Sequence, residues 1–150
     1  MNQIVVFTLD DQLFALPLHS VLQVIHAIEI RHLPNSPEII AGIINVKGKI
    51  IPVIDLRKRF GFKSREIDPD DRFLIVHTGK REAALMADTV AGVQQLDPGQ
   101  SVAAAESAPF AGFLRGVAKV EEQLILIYDL EKFLSLDEEH SLDQALLKET

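Results

Sequence analysis

The chain has 150 residues, 47% apolar and 25% charged, with a net charge of −7 and no cysteine. Such a length predicts one domain, or two sub-bodies of roughly 70 residues, with about 68–70% of the unfolded surface buried. The absence of cysteine excludes disulfides and thiolate metal sites and fits a reducing compartment, while the negative charge disfavours a general nucleic-acid binder.

Ile4–Leu9 is β-branched and predicts a strand, Asp10-Asp11 a tight turn, and Gln12–Leu18 the returning strand. In Ser20–Ile25 the apolar residues Val21, Val24 and Ile25 stand at helical spacing, and Ser20 with Gln23 fits a weak capping box. Glu29–Leu33 can form a strand before Pro34 and Pro37 interrupt regular structure. Ile39–Val46 and Lys49–Ile54 predict a hairpin turning at Lys47-Gly48. Asp55 then caps a short helix, Leu56–Phe60, which Gly61 ends. Lys63–Asp71 is polar and suits a linker.

Beyond it, Phe73–Thr78 and Glu82–Ala87 predict a hairpin turning at Gly79-Lys80, followed by a short helix at Thr89–Val93. Asp97–Gly112, rich in Ala, Ser, Pro and Gly, predicts a long mobile loop. Leu114–Val120 and Gln123–Tyr128 form the last predicted hairpin, and Asp129 opens a helix through Leu136. Glu121-Glu122 is poor chemistry for a two-residue primed turn, so a looser connection is expected there. Asp137–Thr150 is acidic and carries Leu142, Ala145 and Leu146 on one face, as a docked helix or a frayed tail would.

The chain repeats itself. A shift of 74 residues lays Gly42–Phe60 over Gly116–Leu134 without a gap. Gly42, Val46, Ile51, Asp55, Leu56 and Lys58 meet Gly116, Val120, Ile125, Asp129, Leu130 and Lys132. A second echo, at a shift of 69, sets Phe14-Ala15-Leu16 against Ala83-Ala84-Leu85 and Val21 and Val24 against Val90 and Val93. Short strands joined by hairpins indicate antiparallel barrels or sandwiches, and the duplication predicts two small barrels with filled interiors. The expected sub-barrels are roughly 1–65 and 66–136, with exchange of strands between them left open.

Catalytic motifs are missing: GxSxG, HExxH, P-loop and dinucleotide fingerprints are all absent. Asp55 and Asp129 stand where a strand enters a helix, so capping accounts for them. His19, His26, His32, His77 and His140 lack ligand-like spacing, so no metal or cofactor is expected. Met1–Asp11 has no basic segment followed by an apolar run, so no secretory signal is expected. The longest apolar stretches, such as Ile39–Ile44, fall far below the ~18 residues of a membrane span. Gly42 marks a close backbone approach or bulge, or lets a partner come near. The valines are either core or the lining of a groove that accepts the apolar stripe of a helix.

Three segments carry a family resemblance. Pro37 through GIINVKGKIIPVIDLRKRFG is similar to the CheW family signature, in which Asn-Leu-Arg-Gly is followed by an apolar strand ending in Asp-Leu-Arg. FLRGVAKVEEQLILIYDLEKFL resembles that family's closing hairpin and helix, and IVVFTLDDQLFALPLHSVLQVI its first hairpin. The match runs from about Gln3 to Leu136. It implies a mainly β fold of two SH3-like five-stranded barrels, with short helices, and no enzymatic activity. It implies a cytoplasmic adaptor, monomeric in isolation, that joins chemoreceptor cytoplasmic tips to the regulatory domain of the histidine kinase CheA within a larger array. Membrane insertion and nucleic-acid binding are not expected. By alignment the receptor groove falls on Val21, Val24, Gly42, Lys47, Val90 and Val93, and the kinase contact on Pro52, Val53 and Arg57. Lys47 replaces a usual arginine, Gln23 a common glutamate, and Thr89 and Ala84 frequent glycines. These departures allow another kinase pathway, such as type IV pilus motility. A small-molecule-binding barrel is the remaining alternative.

Overall fold

The computed structural model describes residues 3–97, 101–102 and 114–149. Eleven strands follow in chain order: β1 Gln3–Leu9, β2 Gln12–Pro17, β3 Val21–His26, β4 Ile40–Val46, β5 Lys49–Ile54, β6 Arg72–His77, β7 Glu82–Ala87, β8 Thr89–Gln95, β9 Ser101–Val102, β10 Leu114–Val120 and β11 Gln123–Tyr128. Among the described residues there are also two helices, α1 Leu56–Phe60 and α2 Leu136–Glu149, and two 3-10 turns, Leu18–Ser20 and Leu130–Lys132.

The strands form two sheets, one ordered β8-β1-β2-β11-β10-β9 and one ordered β3-β6-β7-β5-β4. Without the two-residue β9, each is a five-stranded unit, so the expected mainly β pair is present. The repeat fixes their correspondence: exchanging β1, β2, β3, β4 and β5 with β6, β7, β8, β10 and β11 turns one order into the other. Neither sheet is confined to residues 1–65 or 66–136. The β1–β2 hairpin pairs with β11 through Leu126↔Phe14, and β7 pairs with β5 through Val53↔Ala84.

Both hairpin pairs run through double-sided cores. Successive residues of a strand point to opposite faces. In β1, Val5 and Phe7 enter a large cluster shared by both sheets, whereas Ile4 and Val6 enter a cluster belonging to their own sheet. In β6, Leu74 and Val76 join the shared cluster, while Phe73 and Ile75 face their own. Burial on both faces explains why IVVF and FLIV are unbroken apolar runs. At the centre of the shared cluster Phe60 stacks on Tyr128 with ring centroids 4.3 Å apart.

Several sequence expectations are overturned. Ser20–Ile25 and Thr89–Val93 are not α-helices: Ser20 ends the 3-10 turn Leu18–Ser20, Val21–Ile25 lie in β3, and Thr89–Val93 lie in β8. Both strands carry a bulge at matching positions, because Val21 and Gln23 oppose Val76 and Ile75, and Val90 and Gly92 oppose Phe7 and Val6. The extra residue puts i and i+3 on one face of a strand, which mimics helical spacing. Glu29–Leu33 contributes a single bridge, Arg31↔Ile43, rather than a strand. The helix expected from Asp129 to Leu136 is only a 3-10 turn. Glu121-Glu122 is as tight as Asp10-Asp11: φ is 50° and 66° in the first pair, and 49° and 66° in the second. Of the loop expected over Asp97–Gly112, only Asp97 and β9 lie within the described residues.

The acidic C-terminal segment is a docked helix. Ser135 Oγ accepts from Glu138 N at 3.1 Å while Glu138 Oε1 accepts from Ser135 N at 2.8 Å, a reciprocal capping box. Leu142 and Ala145 are buried in the shared cluster.

Candidate functional site

Directly opposed residues of paired strands share a face. Val21 and Val24 oppose Val76 and Leu74, which point into the shared core. Val90 and Val93 oppose Phe7 and Val5, which also point there. The two valine pairs therefore lie on the mutually facing sides of the two sheets. Val21 and Val90 are half-buried against the shared cluster. Val24 and Val93, farther along each edge strand, are 38% and 57% exposed. Each pair thus has an anchored inner valine and a free outer one. Leu22, the bulge residue of β3 between Val21 and Gln23, is 53% exposed. Sequence reasoning missed Leu22, because no residue type announces a bulge.

The other expected groove positions are placed differently. In hydrogen-bonding order, β4 lies at the far end of its sheet from β3. Gly42 is buried there, and a Cβ would lie 2.3 Å from the Arg31 carbonyl oxygen and 2.6 Å from Ile30 Cγ2. Its close approach is made by the chain's own 30–31 segment. Lys47 is exposed at the tip of the β4–β5 turn with φ 52°, and Asn45 Oδ1 accepts from Gly48 N at 2.8 Å beside it. Gln23 is exposed on β3. Thr89 Oγ1 lies 2.7 Å from Thr8 Oγ1, so the hydroxyls tie β8 to β1. Ala84 is buried in β7, packed among its own sheet's core residues.

Pro52, Val53 and Arg57, the residues expected at the kinase contact, have buried side chains. Pro52 and Val53 are buried in β5, and Arg57 is only 7% exposed. Its guanidinium donates to Asp10 Oδ1 at 2.8 Å, to Asp88 Oδ2 at 2.8 Å and to the Lys63 carbonyl at 3.0 Å. Burial opposes the charge of Arg57, but its bonds to Asp10 and Asp88 outweigh this and hold its pKa above the ordinary value. Arg65 grips Asp71 bidentately, at 2.7 and 3.0 Å, and also pairs with Asp88. The polar 63–71 linker is thereby fastened to the junction between β7 and β8.

A matching tie stands on the other repeat. Glu131, in the 3-10 turn after β11, accepts from Gly79 N at 2.9 and 3.1 Å. Among the described residues no group of three or more His, Cys, Asp or Glu is arranged to hold a metal ion. The arrangement leaves Val24 and Val93 exposed on the edge strands of two sheets that side-chain bonds tie together.

Known proteins resemble this chain in fold and sequence. The crystal structure of the scaffolding protein TtCheW from Thermoanaerobacter tengcongensis superposes with a TM-score of 0.83 at 36% identity, covering 91% of this chain and 90% of that one. The chemotaxis protein CheW of Klebsiella aerogenes is 27% identical over 146 residues, 96% of this chain and 88% of that protein. The protein FrzA of Myxococcus xanthus is 31% identical over 90 residues, 60% of this chain and 56% of that protein. Residues 3–138 match the CheW-like domain model, and the chain belongs to the CheW-like domain family.

Proposed function

We propose that this protein is a non-enzymatic adaptor of bacterial chemotaxis that couples chemoreceptor cytoplasmic tips to the histidine kinase CheA. The observation that supports the reading is that Val21 and Val24 on β3, and Val90 and Val93 on β8, oppose residues of the core that both sheets share. A helical hairpin tip presents an apolar stripe, and exposed Val24, Val93 and Leu22 supply apolar contact for it. Lys47 adds a point charge at a hairpin tip, suited to a carboxylate on the receptor. The regulatory domain of the kinase meets an end of one sheet, which Pro52, Val53 and Arg57 support from within.

The protein acts in the cytoplasm as a monomer that joins a larger array. No described helix is long and apolar enough to cross a membrane. A second reading, the same adaptor role in another kinase pathway, draws on the similarity to FrzA, a relative not named for chemotaxis.

Calorimetric titration with a receptor-tip hairpin and, separately, with the kinase regulatory domain tests the proposal. Val24→Asp and Val93→Asp each put an unpaired charge against an apolar helix and should weaken tip binding at least about tenfold, with kinase binding retained. Unchanged tip affinity in both variants would remove these valines from the receptor site.

A further inference from the structure

The turn between β6 and β7 is held from outside its own sheet. Gly79 N donates to Glu131, and two residues later Arg81 Nε donates to Glu139 Oε1 at 3.0 Å. The same guanidinium donates to Asp143 Oδ1 at 2.6 Å, and Lys80 Nζ lies 3.9 Å from Glu139. Glu131, Glu139 and Asp143 all follow β11, a strand of the other sheet. The Glu131 contact is a tie to the other sheet, while Arg81 and Lys80 tie the turn to α2, which packs in the core that both sheets share.

The anchor for these ties is rigid. Leu142 and Ala145 fix α2 in the shared core, the Ser135–Glu138 box caps it, and Arg59 donates to Glu138 at 2.6 Å. On the other side of the turn, β6 pairs with β3 from Arg72↔His26 to Val76↔Val21. A shift of the turn is transmitted along β6 to the strand that carries Val21, Leu22 and Val24. The side chain of Arg81 is 14% exposed, so bulk salt screens these bonds only in part.

We infer that Arg81, anchored on α2, is a positioning residue that fixes the spacing between β3 and β8, a role that rests on reading these strands as walls of one receptor site. Arg81 need not touch the partner to govern its binding.

The cysteine-free chain permits a direct test. Exposed Gln23 on β3 and Gln95 on β8, each changed to cysteine and spin-labelled in the full chain, report the strand spacing by pulsed electron paramagnetic resonance without any partner. Arg81→Glu should broaden and shift that distance, and in the unlabelled chain it should weaken tip binding about three- to tenfold. The exchanged pair Arg81→Glu with Asp143→Arg should restore both. If Arg81→Glu fails to fold, the milder Arg81→Gln and Asp143→Asn carry the same test. An unchanged distance in folded variants overturns the inference. So does weakened tip binding at normal spacing, because Arg81 would then act by direct contact. Altered spacing with unaltered tip affinity upholds the positioning of β3 and counts instead against the receptor-site reading.

Discussion

Arg57 and Glu131 occupy the same place in the two repeats and make the same tie with opposite charges. Each is the second residue of the helical turn that follows a repeat-equivalent strand, β5 or β11. Each reaches the hairpin turn of the other sheet: Arg57 finds a carboxylate, Asp10, and Glu131 finds a backbone amide, Gly79. Geometry survived the duplication while the donor and acceptor changed sides.

The first prediction concerns the cationic tie. Arg57→Ala leaves Asp10 without its guanidinium partner, Asp88 with Arg65 alone and the Lys63 carbonyl without its donor. Losing charge-assisted bonds at a largely buried site should destabilise the protein by about 2–3 kcal/mol. Arg57→Lys should recover only part, since an ammonium cannot serve three acceptors in a fixed fork. Urea unfolding at pH 7 checks both. A loss below about 1 kcal/mol for the alanine variant would mean that water replaces the guanidinium at little cost.

Acid should weaken the same ties. Burial pushes Asp88 upward, but the Asp10 amide and the guanidinium groups of Arg57 and Arg65 outweigh it and hold it below the usual carboxylate range. Glu138 is likewise lowered, with burial outweighed by the Ser135 amide and Arg59. A carboxylate whose pKa is lower folded than unfolded stabilises fully above its unfolded pKa of about 4. That contribution is lost as pH falls through the folded value. Stability should therefore drop below about pH 4, and Asp88→Asn and Glu138→Gln should each flatten the drop while lowering stability at pH 7. Unfolding curves collected from pH 2 to pH 7 give the answer.

The repeat-equivalent glycines should respond oppositely to alanine. At Gly42, φ is 153° and a Cβ has no room beside Arg31. Gly42→Ala should destabilise by about 2–3 kcal/mol. Around Gly116, a Cβ meets no described atom within 4 Å. There the lower unfolded entropy of alanine should stabilise by about 0.5 kcal/mol. Matched thermal melts would sink this account if the two changes proved equal.

Tyr128 offers a route to a more stable protein. Its ring is fully buried between Phe14, Phe60 and Phe133, yet its hydroxyl has no hydrogen-bond partner among the described residues. Burial alone pushes this phenol above its ordinary pKa. Tyr128→Phe removes an unsatisfied polar atom and keeps the stacking, so a gain of about 1 kcal/mol is expected. A lower melting temperature would show that a water satisfies the hydroxyl.

The hairpins, the Asp55 cap, Gly61 and the pairing of repeats were legible because turn chemistry and strand alternation are local. β3 and β8 were misread because their bulges arise from pairing with β6 and β1, which spacing does not record. The tight Glu121-Glu122 turn defied its residue types, as the register of β10 on β11 imposed positive φ on both. A capping box at Ser135–Glu138 stood in the sequence and would have placed the start of α2. Of the candidate site, Val21, Val24, Val90 and Val93 were found through the repeat. The interior position of Arg57 was not legible, because its partners Asp10 and Asp88 are remote in sequence.

The exchanged hairpins also set an order of events during synthesis. β1 and β2 leave the ribosome first, yet beyond their own hairpin they pair only with β8 and β11. Until β10 and β11 arrive, the face carrying Ile4, Val6 and Ala15 lacks Ala118, Ile125 and Ile127, its cover in the core of its own sheet. The five-stranded sheet needs nothing beyond Ala87, so it can close while the first hairpin is still waiting. The earliest-made strands are thus among the last secured, and a nascent chain stalled before β10 would present them to chaperones rather than to a finished core.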